Sequence, residues 1–311
     1  KLNCGRPQSR RKADSALRPV YAFDTETSNG NIFLIACSDG TYLDRISLDA
    51  VLNFLFRRRF ESSWNYFYNL TYDAEVILKL LGPELYSYRQ TRSLTFVYKS
   101  YTIKYIPTKC LRITQGHHSV SFYDIAQFYK TSLASAFEQN IGPLSERYKG
   151  MKKLRGDFSQ KFYRRNKSLV RDYCIQDCIL TKELAEHWVK VFNQTFGFYP
   201  ARWYSSGYLA EKVFINSGVE LPKFADIPYE VQDMAYRSYF GGRIEILKRG
   251  FIGEAYLYDI NSAYPYALTK IPDLRHGRWI RGVKHRPDAL LGFFKILADV
   301  PDLYSVPPFP F

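Results

Sequence analysis

Short apolar runs separated by turn signals occupy the N-terminal part of the chain and predict a β-sheet. The first run covers residues 20–27 and is followed by Asn29-Gly30, a dipeptide typical of tight turns between strands. Residues 32–37 and 41–46 are predicted to complete a meander with the first strand, and residues 64–68 are predicted to form another strand. Alternating apolar positions predict two or three more strands between residues 94 and 123.

Apolar positions with helical spacing follow the predicted strands. They predict helices over residues 48–56, 73–81, 132–140 and 166–196, the last of which ends at Gly197. Shorter helices, a Gly-Gly loop and one more strand over residues 255–260 come next. A sheet, helices packed on it and the start of a second sheet together predict an α/β fold class.

The same pattern divides the chain into three parts. Residues 1–19 are basic and are expected to form an N-terminal arm, residues 20–196 hold the sheet and its helices, and residues 197–311 hold linker helices and a second region. Glycine, proline and aromatic residues interrupt the helical pattern near this second boundary. The chain begins at Lys1 and ends among prolines and phenylalanines, so we expect a fragment of a longer protein.

The composition favours a polyanionic partner without deciding it. The chain has 44 Lys and Arg against 30 Asp and Glu, and its formal net charge is +14 at pH 7. Such residues displace counterions from phosphates, while the 26 Tyr and 23 Phe offer surfaces on which unpaired bases can stack. A hydrophobic content of 46% excludes a disordered basic protein.

The five cysteines indicate a reducing compartment, because their number is odd and no Cys-x-x-Cys pair occurs. Cys174 and Cys178 share a helix face, a spacing more typical of a core than of a zinc site. No apolar run approaches the ~20 residues of a membrane span, and the chain starts without the apolar core of a signal peptide. We therefore expect no membrane partner and no secretion, with a location in the cytoplasm or an organelle.

Acidic residues form the strongest chemical signal in this basic chain. Asp24 and Glu26 are two apart on the first predicted strand, so both carboxylates project from one face. Asp73 opens a predicted helix directly after the segment Asn69–Tyr72. Alone, Asp73 is also explained as an acid that the dipole favours at a helix N-terminus.

A third acidic segment lies on the longest predicted helix, where Tyr173 and Asp177 are one turn apart. Tyr173 alone is also explained as a core aromatic. Two carboxylates ~4 Å apart repel by about 4 kcal/mol at an effective dielectric near ~20, so a cluster of four needs cations. Paired Mg²⁺ or Mn²⁺ ions suit such a cluster and suit phosphodiester hydrolysis, in which one ion activates water and the other holds the leaving 3′ oxygen.

The three acidic segments resemble the proofreading-exonuclease motifs of family-B DNA polymerases. The resemblance implies an RNase H-like 3′→5′ exonuclease domain over residues 20–196, with two Mg²⁺ or Mn²⁺ ions per active site and a single-stranded DNA 3′ end as substrate. The implied roles are metal ligation by Asp24, Glu26, Asp73 and Asp177, positioning of the attacking water by Tyr173, and contact with the frayed primer end by Thr27, Asn69 and Tyr72.

Two segments depart from the protein-primed branch of this family. Where that branch has a lysine before the third motif, this chain has Arg155, which still suits a phosphate partner but cannot change its protonation. The branch's Ser-Leu motif is replaced by Ile125-Ala126, so Asp124 is expected to serve as a turn or hydrogen-bonding residue.

Further along the chain, two segments resemble the beginning of a family-B polymerase palm. Tyr239-Phe240-Gly241-Gly242 resembles the Tyr-x-Gly-Gly motif, and Tyr258 to Pro265 resembles polymerase motif A. The resemblance implies that Asp259 ligates both catalytic metals and that Ser262, Ala263 and Tyr264 bind the incoming deoxynucleotide. It also implies that Tyr239, Gly241 and Gly242 contact primer-template DNA.

The remaining polymerase motifs, which carry the nucleotide grip and the second metal carboxylate, are not found after Pro265. We therefore expect nucleotidyl transfer only in a longer protein. The short spacing and the Tyr-x-Gly-Gly element favour the protein-primed branch of viruses, plasmids and mobile elements, in which a terminal protein serves as primer. Two alternatives remain open: a dedicated 3′→5′ exonuclease, and a non-catalytic DNA-binding or docking module whose acids are structural.

Overall fold

Eight strands are present in the part of the chain that the structure describes. The computed structural model describes residues 16–82, 94–218, 223–239, 242, 246, 248–272, 277–284 and 286–299. Residues 1–15 of the expected N-terminal arm lie outside these ranges. The strands are β1 (Val20–Ser28), β2 (Asn31–Cys37), β3 (Tyr42–Leu43), β4 (Trp64–Phe67), β5 (Leu94–Tyr98), β6 (Tyr101–Ile106), β7 (Cys110–Gln115) and β8 (His118–Asp124).

These strands form one mixed sheet in the order β3-β2-β1-β4-β8-β7-β6-β5. Strand β1 pairs antiparallel with β2 and parallel with β4, and β4 pairs parallel with β8. The other neighbours are antiparallel. Strand β1 therefore lies inside the sheet, with a paired strand on each side.

Eleven α-helices are described, and serine side chains begin several of them. The Oγ atoms of Ser47, Ser132, Ser145, Ser159 and Ser205 each accept a hydrogen bond from a backbone amide of the following first turn. The helices are α1 (Leu48–Leu55), α2 (Arg58–Glu61), α3 (Leu70–Leu78), α4 (Ala126–Tyr129), α5 (Leu133–Asn140), α6 (Glu146–Lys153), α7 (Gln160–Arg165), α8 (Lys167–Phe196), α9 (Ser206–Asn216), α10 (Tyr229–Ser238) and α11 (Ala263–Leu268).

Helices cover both faces of the sheet, which confirms the predicted α/β class. On one face Phe23, Ile35 and Phe67 pack with apolar residues of α1, α2 and α3. On the other face Leu34 and Ala36 pack with residues of α5, α6 and α8. Neighbouring residues of one strand thus enter different cores, as the two-residue period of a strand requires.

The predicted elements differ from the observed ones mainly at their ends. The strand predicted over residues 41–46 is reduced to Tyr42–Leu43, and the region from Leu94 to Tyr123 forms four strands instead of two or three. The helix predicted over residues 73–81 begins three residues earlier, at Leu70, and closes with a 3-10 turn, Lys79–Leu81. The longest predicted helix is observed as α8, and Gly197 ends it in the left-handed conformation with φ 76°.

The chain forms two compact units, Lys1–Val219 and Glu220–Phe311. The first unit extends beyond the expected boundary at residue 196, because aromatic packing continues past α8. Trp203 is fully buried, and its ring lies 5.6 Å from that of Trp64 and 5.3 Å from that of Phe192. Leu209 of α9 is buried in the same cluster.

The second unit contains α10 and α11 and a short 3-10 helix, Phe224–Asp226. The strand predicted over residues 255–260 was wrong, since these residues adopt no regular secondary structure. Leu257 is 99% exposed and Tyr258 is 87% exposed, and no described residue pairs with this segment. An apolar alternating run becomes a strand only when a neighbour accepts its backbone hydrogen bonds. No helix among the described residues combines the length and hydropathy needed to cross a membrane.

Replacing Phe23 with alanine tests the aromatic core beneath β1. The buried Phe23 ring lies 5.0–6.4 Å from the rings of Phe54, Phe60, Phe67 and Phe122. We expect Phe23→Ala to lower the free energy of unfolding by about 3–5 kcal/mol through lost contacts and an unfilled cavity. Denaturant titration followed by circular dichroism measures this value.

The control is Val97→Thr on β5, because Val97 is 74% exposed and threonine keeps the branched shape. We expect this variant to stay within about 0.5 kcal/mol of the parent chain. Equal losses from the two substitutions would contradict the packing described for Phe23.

Candidate active site

Strand β1 presents two carboxylates toward α8. Asp24 and Glu26 occupy alternate positions of β1, on the face opposite to Phe23. The Cys174 thiol of α8 lies 3.6 Å from both Asp24 Oδ2 and the Asp24 carbonyl oxygen. The register of β1 and β2 shifts between Glu26 and Thr27, so the strand is irregular where the acidic pair ends.

Thr25 holds the third carboxylate from the opposite face of β1. The Thr25 backbone amide and hydroxyl donate to Asp73 Oδ1, over 3.1 Å and 2.6 Å respectively. Asp73 lies in the first turn of α3 and is only 3% exposed. A short strand-to-helix connection therefore brings Asp73 against the acidic end of β1.

Asn69 makes that connection in a left-handed backbone conformation, with φ 66° and ψ 56°. Asparagine tolerates this region better than most residues. Asp124 Oδ1, at the end of β8, accepts hydrogen bonds from the backbone amides of Asn69 and Ala126 over 3.1 Å and 2.9 Å. Asp124 is thus a hydrogen-bonding residue that fixes the start of α3, as the sequence predicted.

Helix α8 supplies the fourth carboxylate together with two stacked tyrosines. The Tyr148 hydroxyl of α6 donates to Asp177 Oδ1 over 2.6 Å. Its ring stacks on that of Tyr173 with a centroid distance of 5.6 Å and an interplanar angle of 10°. Tyr148, Tyr173 and Asp177 are all at most 4% exposed, so packing fixes their orientation.

Burial raises the pKa values of all four carboxyl groups, and repulsion by neighbouring carboxylates of the cluster adds to the rise at Asp24 and Glu26. Burial is the largest cause of the raised pKa of Asp24, followed by the charges of Asp177, Asp73 and Glu26. The pKa of Glu26 rises to about 8 through burial, although Arg155 opposes the rise. The four groups therefore interact as one electrostatic cluster.

Neighbouring donors oppose the effect of burial at the other two acids. Burial raises the pKa of Asp73 to about 7, against the hydrogen bonds from Thr25. Burial also raises the pKa of Asp177, against the hydrogen bond from Tyr148. Hydrogen bonds to neutral groups thus reduce the electrostatic cost of the cluster without removing it.

An open cavity of about 630 Å³ lies over the cluster. Asp24, Asp73 and Asp177 line it together with Tyr173, and three cationic residues line it as well. These are Lys130, which directly follows α4, Lys152 and Arg155, and all three are exposed. The cavity combines buried acids with a basic margin.

The residues expected to hold a primer end lie beside this cavity. The Thr27 and Tyr72 hydroxyls are hydrogen-bonded to each other, and Tyr72 is 47% exposed. Asn69 and Tyr72 line the cavity. Three sequence-predicted positions are thus placed together near the acids.

The residues predicted for the polymerase centre lie in the second unit and are exposed. Asp259 belongs to no cluster of three ligand atoms within the described residues. Ser262 has φ 56° and directly precedes α11, which holds Ala263 and Tyr264. A Cβ atom on Gly242 would lie 2.7 Å from the Tyr264 hydroxyl, so Gly242 lies close to the side chain of Tyr264. Tyr239 is 80% exposed, and Gly241 lies outside the described residues.

Residues 61–310 match the family model described as DNA polymerase type B, organellar and viral. The chain belongs to this family. The resemblance to family-B DNA polymerases is thereby confirmed. Membership in a DNA polymerase family implies DNA as a partner and divalent metal ions as cofactors. Comparison of this polymerase chain with curated proteins and with solved structures finds no match.

The family match includes part of the acidic cluster. It covers Asp73 and Asp177, while Asp24 and Glu26 precede its first residue, Glu61. The fold brings this preceding strand against the matched region, since β1 pairs with β4 and packs on α8. The cluster in the polymerase chain thus contains residues of the matched region and residues that precede it.

The residues of the cluster fit a divalent cation of the Mg²⁺ or Mn²⁺ class. Carboxylate oxygens are the ligands that such hard cations prefer. Glu26 Oε1 is buried and has no hydrogen-bond partner, which leaves an acceptor that a cation can satisfy. Asp24 lines the open cavity and gives solvent access to the group.

Sequence reasoning missed several residues of this site, including Tyr148, Lys130 and Lys152. Tyr148 has a recognisable signal, because it is a buried aromatic in an otherwise very polar helix, α6. Lys152 lies one turn after Tyr148 and therefore on the same side of α6. Lys130 has no comparable signal, since the αL end of the four-residue helix α4 places it.

The raised pKa values predict a pH-dependent stability in metal-chelated solution. Between pH 4.5 and about 8 the folded chain retains a proton on Glu26 that the unfolded chain has released. The stability that protonated Glu26 contributes is therefore fully present below pH 4.5, and this contribution is lost as the pH rises through about 8. We expect Glu26→Gln to gain on the order of 2 kcal/mol at pH 8 relative to the parent chain. Denaturant titrations at pH 5 and pH 8 measure the difference.

The control is Glu138→Gln on α5, where the side chain is exposed. It removes one acid without touching the cluster and is expected to keep the parental pH dependence. A parent chain that gains stability from pH 5 to pH 8 under chelation would contradict the assignment.

Proposed function

We propose that residues 20–196 form an RNase H-like 3′→5′ exonuclease domain that proofreads DNA by two-metal phosphodiester hydrolysis. The observation that carries this proposal is the convergence of four carboxylates from β1, α3 and α8, three of which (Asp24, Asp73 and Asp177) line one cavity. The mixed sheet with helices on both faces supports the fold assignment. Family membership supports DNA as the substrate.

Asp24, Glu26, Asp73 and Asp177 hold the cations in this proposal. When bound, paired Mg²⁺ or Mn²⁺ supplies water activation and neutralises charge on the leaving 3′ oxygen. Tyr173 lines the cavity one helical turn from Asp177 and orients the attacking water through its hydroxyl. Tyr148 acts as a positioning residue, because it fixes Asp177 by a hydrogen bond and Tyr173 by stacking.

The basic margin and the polar side chains beside it bind the DNA 3′ end. Lys130, Lys152 and Arg155 offset phosphate charge, which the acidic cluster would otherwise repel. Tyr72 is exposed enough to stack on a terminal base. Asn69 and Thr27 hydrogen-bond to sugar or phosphate.

Residues of the second unit serve nucleotidyl transfer in the longer polymerase. Asp259 is the proposed metal ligand there, and Ser262, Ala263 and Tyr264 face the deoxynucleotide triphosphate at the start of α11. Tyr239, Gly241 and Gly242 contact primer-template DNA in this proposal. Protein priming, with a terminal protein as partner, belongs to the same proposal and rests on the sequence motifs alone.

Directional DNA degradation tests the exonuclease proposal. We expect the chain with Mn²⁺ to shorten a 5′-labelled single-stranded oligonucleotide stepwise from its 3′ end, and Asp24→Ala/Glu26→Ala to abolish the ladder. Loss of two metal ligands should lower the rate by at least about a thousandfold. Gel analysis of 5′-labelled and 3′-labelled substrates measures rate and direction.

The matched control is Asp49→Ala, because Asp49 is exposed on α1 and forms an ion pair with Lys99 outside the cluster. This variant should cleave at the parental rate. A folded parent chain without cleavage, or equal cleavage by the double variant, would refute the exonuclease assignment and favour a binding or docking role.

Tyr148→Phe tests the proposed positioning role. The substitution keeps the stacked ring and removes the hydrogen bond to Asp177, which is worth about 1.5–3 kcal/mol to a charged group. We expect the cleavage rate at saturating DNA to fall about tenfold to a hundredfold, with DNA affinity retained. The Mn²⁺ concentration for half-maximal cleavage should also rise.

Tyr163→Phe is the control, because its hydroxyl donates to Asp44 rather than to the cluster. It should leave both the saturated rate and the Mn²⁺ dependence unchanged. If Tyr148→Phe weakened DNA binding without changing the saturated rate, Tyr148 would be a substrate contact instead of a positioning residue.

A further inference from the structure

Three possible ligand atoms from β1 and α8 converge in the acidic cluster. One carboxylate oxygen of Asp24, one of Glu26 and the sulfur of Cys174 all lie within 4.8 Å of one another. Within the described residues, this is the group of three such side chains that is close enough to share one ion. It contains sulfur, whereas the proposed exonuclease ligands are all oxygens.

One member of this group carries a buried acceptor without a partner. Glu26 is 4% exposed, and its Oε1 atom has no hydrogen-bond partner. An unpaired buried carboxylate oxygen is costly unless a donor or cation completes it. The Cys174 thiol does not complete it, since that thiol donates to Asp24.

The distance between sulfur and oxygen suits a thiophilic cation. Zinc bonds of ~2.3 Å to sulfur and ~2.0–2.2 Å to oxygen, at a tetrahedral angle, separate the two ligand atoms by about 3.5 Å. Cys174 Sγ and Asp24 Oδ2 are 3.6 Å apart. These two atoms thus have the spacing of a zinc-class site in the present geometry.

We propose that Asp24, Glu26 and Cys174 form a mixed oxygen and sulfur site for a thiophilic divalent cation, Zn²⁺ or Cd²⁺. This inference rests on the proposed exonuclease centre, because the site shares Asp24 and Glu26 with it. Occupation by a thiophilic cation therefore excludes productive Mg²⁺ or Mn²⁺ binding and inhibits proofreading. Sulfur ligation favours the thiophilic ion in this competition.

Binding of the metal displaces the thiol proton of Cys174 and any proton that Asp24 or Glu26 still holds. The sulfur–hydrogen bond of Cys174 breaks as the sulfur–metal bond forms, and no oxidation or reduction occurs. Asp24 Oδ2 already accepts the hydrogen bond from this thiol, and Asp24 lines the cavity. The proton thus has a route through Asp24 to solvent.

Cys178 provides a matched internal control for Cys174. Both cysteines are fully buried on α8, one helical turn apart. Only Cys174 belongs to the group of three ligand atoms. The sequence pattern Cys-x-x-x-Cys is thus not itself the metal site, and one of its two thiols has a different role.

Titration of the chelator-treated full chain with Cd²⁺ alone tests the proposal. Every variant carries Cys4→Ser, so that the four buried cysteines are the remaining thiols. We expect one equivalent of Cd²⁺ to produce the ultraviolet charge-transfer absorption of a cadmium–thiolate bond and to raise the melting temperature. Cys178→Ser should retain both effects.

Cys174→Ser and Cys174→Ala should lose the absorption, and Glu26→Gln should weaken Cd²⁺ binding by at least about tenfold. Using two substitutions at position 174 separates loss of the ligand from a packing defect. Absence of the absorption in the Cys4→Ser chain, or its persistence in both position-174 variants, would overturn the proposal.

A parallel Mn²⁺ titration separates this inference from the proposed function. Mn²⁺ should raise the melting temperature of the Cys4→Ser chain and of its Cys174→Ser variant alike. Stabilisation by Mn²⁺ without a cadmium–thiolate signal would refute the thiophilic site but would remain consistent with the proposed exonuclease centre. A cadmium–thiolate signal at Cys174 without any Mn²⁺ stabilisation would refute the exonuclease centre and keep the thiophilic site.

Discussion

Repulsion among four largely buried carboxylates is the constraint on which the first unit depends. The fold brings together Asp24 and Glu26 from β1, Asp73 from the start of α3 and Asp177 from the middle of α8. Each charged carboxylate makes ionisation of the others less favourable. Their direct contacts come from neutral donors: Thr25 to Asp73, Tyr148 to Asp177 and the Cys174 thiol to Asp24. These contacts set positions, while in the metal-free chain the raised pKa values favour protons on the acids, which bound cations can displace.

The surrounding framework keeps the acids from separating. Strand β1 is paired on both sides, so its acids cannot move without disrupting the sheet. Asp124 holds the left-handed turn at Asn69, and α8 lies across β1 and β2. Large buried side chains such as Phe23 and Trp64 support the same region from the two cores. Packing free energy therefore offsets an unfavourable electrostatic arrangement, as at many functional sites.

The sequence was informative where a pattern is local. The two-residue spacing of Asp24 and Glu26 requires only a strand, and the extent of α8 follows from apolar periodicity and Gly197. The hydrogen bond from Tyr148 to Asp177 was not predictable, because it joins two helices whose packing depends on the whole sheet. The strand prediction over residues 255–260 failed for the same reason. The run has the pattern of a strand, but a strand forms only where a neighbouring strand pairs with it, and the local pattern does not show this.

The separation of Asp24 and Cys174 along the chain has a consequence for synthesis. These residues are in contact although they are 150 positions apart. Contacts of such long range form late, since the intervening chain must be ordered first. During translation, β1 leaves the ribosome well before α8 exists, so its two acids remain solvated and separate from their partners. In a nascent chain the proposed exonuclease centre is thus incomplete until the middle of α8 has been made and has docked on the sheet.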